Sequence, residues 1–217
     1  MPQALVFDLD GTLLQYTTAY RTIVEKTFIA VTRTVRDGWV ETYQEAFFEV
    51  FEACQREPVR RGFAAVGHSG TSDALARELL KQEIRATETP VKAHLALDHL
   101  SDSYHLAVLT NGFPTWQRRK FGAHDLEPYF ETIVASYEVG AHKPNPKPFR
   151  AVERRIDADV DGRLESDGVP LAIRETTSSK YPENSGGSEG DSTPTVVWKS
   201  GTPHIVVTFL RTNTEME

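Results

Sequence analysis

Two aspartates separated by one leucine close an apolar run near the start of the chain, Leu5-Val6-Phe7-Asp8-Leu9-Asp10-Gly11-Thr12. Leu5, Val6 and Phe7 include β-branched and aromatic members and are bounded by a glycine turn, which fits a buried strand better than a helix. Residues two apart on a strand share a face, so Asp8 and Asp10 project from the same side of its end. Burying two like charges at one spot is costly unless a cation or a reaction uses them. Asp10-Gly11 alone is ordinary turn chemistry, but Asp8 still belongs to the apolar run and asks for another explanation.

Behind this stretch the hydrophobic period changes. Tyr20, Ile23, Val24, Phe28, Val31 and Val35 recur at steps of three and four, and Asp37-Gly38 supplies a stop, which predicts a helix over 17–36. Trp39, Tyr43, Ala46, Phe47, Val50, Phe51 and Cys54 predict a second helix that Pro58 ends, and Leu75, Leu79 and Leu80 a third over 73–86. Residues 15–88 therefore read as a helical block without a clear strand.

Strands then resume. Leu106-Ala107-Val108-Leu109 runs into Thr110-Asn111-Gly112, and Ile133-Val134-Ala135 leads to Ser136 and then to Gly140-Ala141-His142-Lys143-Pro144, with helices at 91–100, 116–121 and 149–156 between and after them. Continuous apolar strands alternating with helices predict an α/β fold with a parallel sheet covered on both faces. In such a sheet functional groups gather at the carboxyl ends of the strands. That brings Asp8, Asp10, Thr110, Asn111 and Lys143 to one edge. Carboxylates there would hold a divalent cation, Thr110 and Asn111 would hydrogen-bond phosphate oxygens, and Lys143 would neutralise their charge. Asp8 could attack phosphorus, and Asp10 could serve as general acid and base. His142 and His68 read more simply as loop residues than as acid-base groups.

These motifs resemble those of haloacid dehalogenase-like (HAD) superfamily hydrolases. Asp8-Leu9-Asp10-Gly11-Thr12 is similar to the first motif, Thr110-Asn111-Gly112 to the second, and Lys143-Pro144, preceded by Ser136-Tyr137-Glu138-Val139-Gly140, to the third. The resemblance implies a Rossmann-like core, 1–14 and 89–217, with an α-helical cap domain, 15–88, inserted after the first motif. It implies a Mg2+ site using Asp8 and Asp10, and hydrolysis of a small phosphorylated metabolite through an aspartyl-phosphate. An Asp two past the nucleophile, as Asp10 is, resembles the phosphatases; the dehalogenases lack that acid. A 2-haloacid dehalogenase and a non-catalytic phosphate-ligand-binding relative are the alternatives.

The family's fourth motif, a strand ending in Gly-Asp with a further Asp, has no clear counterpart. Asp161, Asp167, Glu175 and Asp191 are the acids that could complete the metal site, and a frame slip or insertion over 157–194 is one explanation. The Ser-, Gly- and Glu-rich stretch within 174–194 predicts a flexible segment. Val169–Ile173, Thr195–Trp198 and His204–Leu210 have strand-like composition.

A net charge of −7 argues against a nucleic-acid footprint, which needs clustered Lys and Arg. With one cysteine, Cys54, and neither a membrane-length apolar run nor a signal-like start, a cytoplasmic protein is expected.

Overall fold

The computed structural model describes residues 4–160 and 205–207. The chain adopts the α/β class expected from its sequence. Strands β1 (Ala4–Phe7), β4 (His105–Thr110), β5 (Thr132–Ala135) and β6 (Ile205–Val207) form a four-stranded sheet in the order β5-β4-β1-β6. All three pairings are parallel: Ala4 stands opposite His105 and Ile205, and Thr110 opposite Ala135. Two short strands, β2 (Gln15–Tyr16) and β3 (Thr87–Glu88), form a second sheet.

The sheet is apolar on both faces because each strand sends alternate residues to opposite sides. Ala4, Val6, Ala107, Leu109 and Val134 pack with Phe149, Ala151, Val152 and Ile156 of helix α7 (Pro146–Val160). Phe7, Leu106 and Val108 pack on the other face with Leu97 of α5 (Val91–Ser101), Phe121 of α6 (Pro114–Ala123), and Phe130. Strands β1, β4 and β5 are therefore fixed from two sides, and the loops at their carboxyl ends stand on a rigid base.

The chain divides into two compact units, 1–15 with 89–217, and 16–88. The second is helical, with α1 (Tyr20–Thr32), α2 (Trp39–Glu52), α3 (Pro58–Ala65) and α4 (Ser72–Arg85) around buried Phe28, Tyr43, Phe63, Leu75 and Leu79. The helix predicted over 17–36 is shorter because Arg33 turns left-handed at φ 65° and donates its N–H to Ile29 O. Helix α3 was not expected. Pro58, read as the end of α2, is instead the first residue of a new helix, where its missing N–H costs nothing. His68, in the loop before α4, stacks edge-on against Trp39 at 4.6 Å between ring centres and lies 5.8 Å from Phe28.

Among the described residues no helix is long and apolar enough to cross a membrane. The segments Val169–Ile173, 174–194 and Thr195–Trp198, and the acids Asp161, Asp167, Glu175 and Asp191, lie outside the described residues. Of the run His204–Leu210, only Ile205–Val207 is within them.

Candidate active site

Strand β1 ends at Phe7, so Asp8 is the first residue beyond the ladder, at the edge where β4 ends with Thr110. Its carboxylate stays near the backbone: Oδ1 accepts the Leu9 N–H at 2.8 Å. Lys143 Nζ reaches the same Oδ1 at 2.8 Å and also donates to Leu109 O at 2.8 Å. Among the described residues Asp8 Oδ2 makes no hydrogen bond, and the side chain is 18% exposed. Asp8 is thus held by one oxygen and open at the other.

The chain reverses immediately afterwards. Gly11, at φ +79°, donates its N–H to Leu14 O at 2.7 Å, and Leu14 N–H returns to Leu9 O at 2.9 Å. This tight loop carries Asp10 past the end of β1 without extending the strand. Its carboxylate meets two residues of α6: Lys120 Nζ contacts Oδ1, and Gln117 Nε2 donates to Oδ2 at 2.8 Å. Lys120 is 1% exposed and Gln117 3%. Removing one partner of an ion pair this buried costs on the order of 3–5 kcal/mol.

Thr110 is fully buried, and its Oγ1 lies 2.6 Å from Gln117 Nε2. Asn111 turns its carboxamide onto Lys143, with Oδ1 accepting the Lys143 N–H at 2.8 Å and Nδ2 donating to Lys143 O at 3.2 Å. The pair expected on phosphate oxygens thus makes internal bonds that position the loops around Asp8. Ser136 ties those loops together, its Oγ accepting the Gly112 N–H at 3.0 Å and lying 2.7 Å from His142 Nδ1. His142 therefore has a structural partner next to the site.

Sequence reasoning missed Gln117 and Lys120. They sit three apart on α6, and Lys120 adjoins the core residue Phe121, so they share the helix's buried face. With Phe121 as the one apolar residue among the three buried on α6, no apolar stripe marked that face in the sequence. The charge of Lys120 also reaches His124. Burial first, and then the Lys120 ammonium, hold that imidazole below the usual histidine value, with Asp125 opposing.

Asp8 and Asp10 are the carboxylates at this edge, and among the described residues no group of three or more His, Cys, Asp or Glu side chains comes together. Two hard oxygen donors nevertheless fit a magnesium ion, which is commonly held by one or two carboxylates, with waters and substrate phosphate oxygens completing its shell. Both Asp10 oxygens are engaged by α6, so Asp8 is the better placed of the two carboxylates.

Known proteins share part of this sequence and the fold around it. A phosphoserine phosphatase from Thermus thermophilus is 47% identical over 45 residues, a stretch covering 21% of this chain and only 18% of that protein. The magnesium-bound HAD-hydrolase YfnB from Bacillus subtilis superposes with a TM-score of 0.55 at 21% identity, covering 71% of this chain and 74% of its own. A 2-haloacid dehalogenase from Pseudomonas syringae pv. Tomato DC3000 superposes with a TM-score of 0.52 at 22% identity, covering 71% and 73%. These two structures share the fold. A family model described as haloacid dehalogenase-like hydrolase matches residues 2–162, and the chain belongs to that family.

Proposed function

We propose that this hydrolase is a magnesium-dependent phosphomonoesterase acting on a small phosphorylated metabolite in the cytoplasm. The observation that carries the reading is Asp8, whose Oδ1 is fixed by Leu9 N–H and Lys143 while Oδ2 stands open. A carboxylate held in this way keeps one oxygen for attack and loses little freedom on reacting. The short identity with a phosphoserine phosphatase and the acid at position 10 support a phosphate ester over an organic halide as substrate.

The steps follow from the residues. Asp8 Oδ2 forms a bond to phosphorus as the ester P–O bond breaks, and Asp10 passes a proton to the departing alcohol oxygen. Water then attacks the phosphorus of the aspartyl-phosphate, giving its proton to Asp10, and the acyl P–O bond breaks to release phosphate and restore Asp8. Lys143 places positive charge beside the transferred group. Magnesium held by Asp8 and Asp10 would neutralise phosphoryl oxygens. In this reading the helical unit, 16–88, acts as the cap that selects the substrate.

Hydrolysis of 4-nitrophenyl phosphate with and without magnesium tests the proposal. Turnover is expected only with the metal and is lost in Asp8→Asn. Magnesium-independent turnover or an active Asp8→Asn variant overturns it, and chloride release from 2-chloropropionate would point to dehalogenation instead.

A further inference from the structure

Helix α6 delivers two buried polar side chains to a single carboxylate. Lys120 Nζ takes Asp10 Oδ1, and Gln117 Nε2 takes Oδ2 at 2.8 Å. Two donors on two different oxygens remove rotation of the carboxylate about its Cβ–Cγ bond, which a single contact would leave free. Gln117 Nε2 also lies 2.6 Å from Thr110 Oγ1 and 3.3 Å from Asn111 O, so the same amide ties Asp10 to the end of β4. Gly112 leaves the room this amide needs, since a Cβ there would lie 2.9 Å from Gln117 Nε2. Lys120 itself is anchored by its neighbour Phe121, which packs into the core beneath the sheet.

We propose that Lys120 and Gln117 are positioning residues that aim the Asp10 carboxylate at the leaving oxygen of the substrate. The proposal rests on the phosphomonoesterase reading and deepens it, because it says which substrates depend on the clamp. Aliphatic alcohols would leave as poorly stabilised alkoxides and need a well-placed proton donor, whereas 4-nitrophenolate leaves with little help. An aimed Asp10 therefore marks the chain as built for alkyl phosphates, such as phosphorylated hydroxy acids or sugars, with aryl phosphates as incidental substrates.

The test is the ratio of kcat for glycerol phosphate to kcat for 4-nitrophenyl phosphate, measured on one preparation of each variant so that the active fraction cancels. Lys120→Met is expected to lower this ratio at least about tenfold, within the range a positioned acid-base group contributes, with KM for both esters little changed. Lys120→Arg, which keeps the charge, is expected to recover part of it. If Lys120→Met does not fold, Gln117→Leu, which removes only the neutral arm, carries the same ratio test with a smaller expected drop. Equal losses on both esters, or none, overturn the positioning role while leaving the phosphatase reading intact. A wild-type chain that hydrolyses neither ester overturns the reading and the clamp with it.

Discussion

Asn111 and Lys143 grip each other across 32 positions of sequence: the Asn111 carboxamide accepts the Lys143 N–H at 2.8 Å and donates to the Lys143 carbonyl at 3.2 Å. A side chain that satisfies both polar groups of one residue acts as a strand partner would, and it fixes the loop that carries the Lys143 ammonium to Asp8. The sequence points to Asn111 as a direct phosphate ligand, and the two roles differ kinetically. Acting through Lys143, Asn111→Ala is expected to lower kcat roughly tenfold or more, the scale of losing a part-buried hydrogen-bonding partner, with KM nearly unchanged. Direct phosphate binding would instead raise KM and weaken inhibition by inorganic phosphate. Steady-state kinetics with phosphate as inhibitor separate the two.

Gly112 marks a second tight point. Its φ of +156° sits at the limit of the region that favours glycine, and an added Cβ would meet Gln117 at 2.9–3.0 Å. The amide cannot retreat without leaving Asp10 and Thr110, because all of these contacts use the one nitrogen. Gly112→Ala is expected to lower kcat while costing about 1–3 kcal/mol of stability, as overpacking does. Unchanged kcat in a folded Gly112→Ala protein would show that Gln117 is not needed where it stands.

What the sequence revealed and what it hid divide along physical lines. Asp8, Asp10, Thr110, Asn111 and Lys143 could be placed at one edge because buried parallel strands leave long apolar runs and their polar groups follow at the carboxyl ends. The partners of those residues were not legible. Lys120 in a short helix reads as a solvated lysine, and only the packing of Phe121 and the depth of Asp10 turn it inward to 1% exposure. Helix α3 was hidden for another reason: Pro58 reads as a stop where it is a start, and Gly62 is a poor helix residue whose propensity the buried contacts of Val59 and Phe63 override.

His124, just after α6, gives the chain an acid-sensitive term. Burial and the Lys120 charge lower its pKa in the folded state. Above about pH 6.5 the imidazole is neutral in folded and unfolded chains alike and its contribution is fully present. As pH falls below that value the unfolded chain takes up the proton first, so stability declines until the folded-state value is passed. His124→Gln removes this dependence. The expected result is a smaller drop in melting temperature between about pH 7.5 and pH 5.5 in the variant than in the wild type; equal drops would show that His124 does not contribute.

The helical unit has its own close approach, where α2 and α3 cross. A Cβ on Gly62 would lie 2.9 Å from Tyr43 Cδ2 and Cε2 and 3.0 Å from the Tyr43 carbonyl oxygen. Tyr43 is fully buried, its ring 4.3 Å from that of Phe63 and its hydroxyl 3.5 Å from that of Tyr20, so neither the ring nor the backbone behind it has space to yield. Two effects oppose each other in Gly62→Ala. Alanine favours the helix by about 1 kcal/mol, whereas forcing the two helices apart costs about 1–3 kcal/mol and loosens the Tyr43–Phe63 contact. The contact with main-chain oxygen decides the sign, because a helix carbonyl moves only with its helix. Gly62→Ala is therefore expected to lower the urea midpoint, and Gly62→Val to lower it further; a midpoint raised by alanine would show that α2 and α3 separate freely.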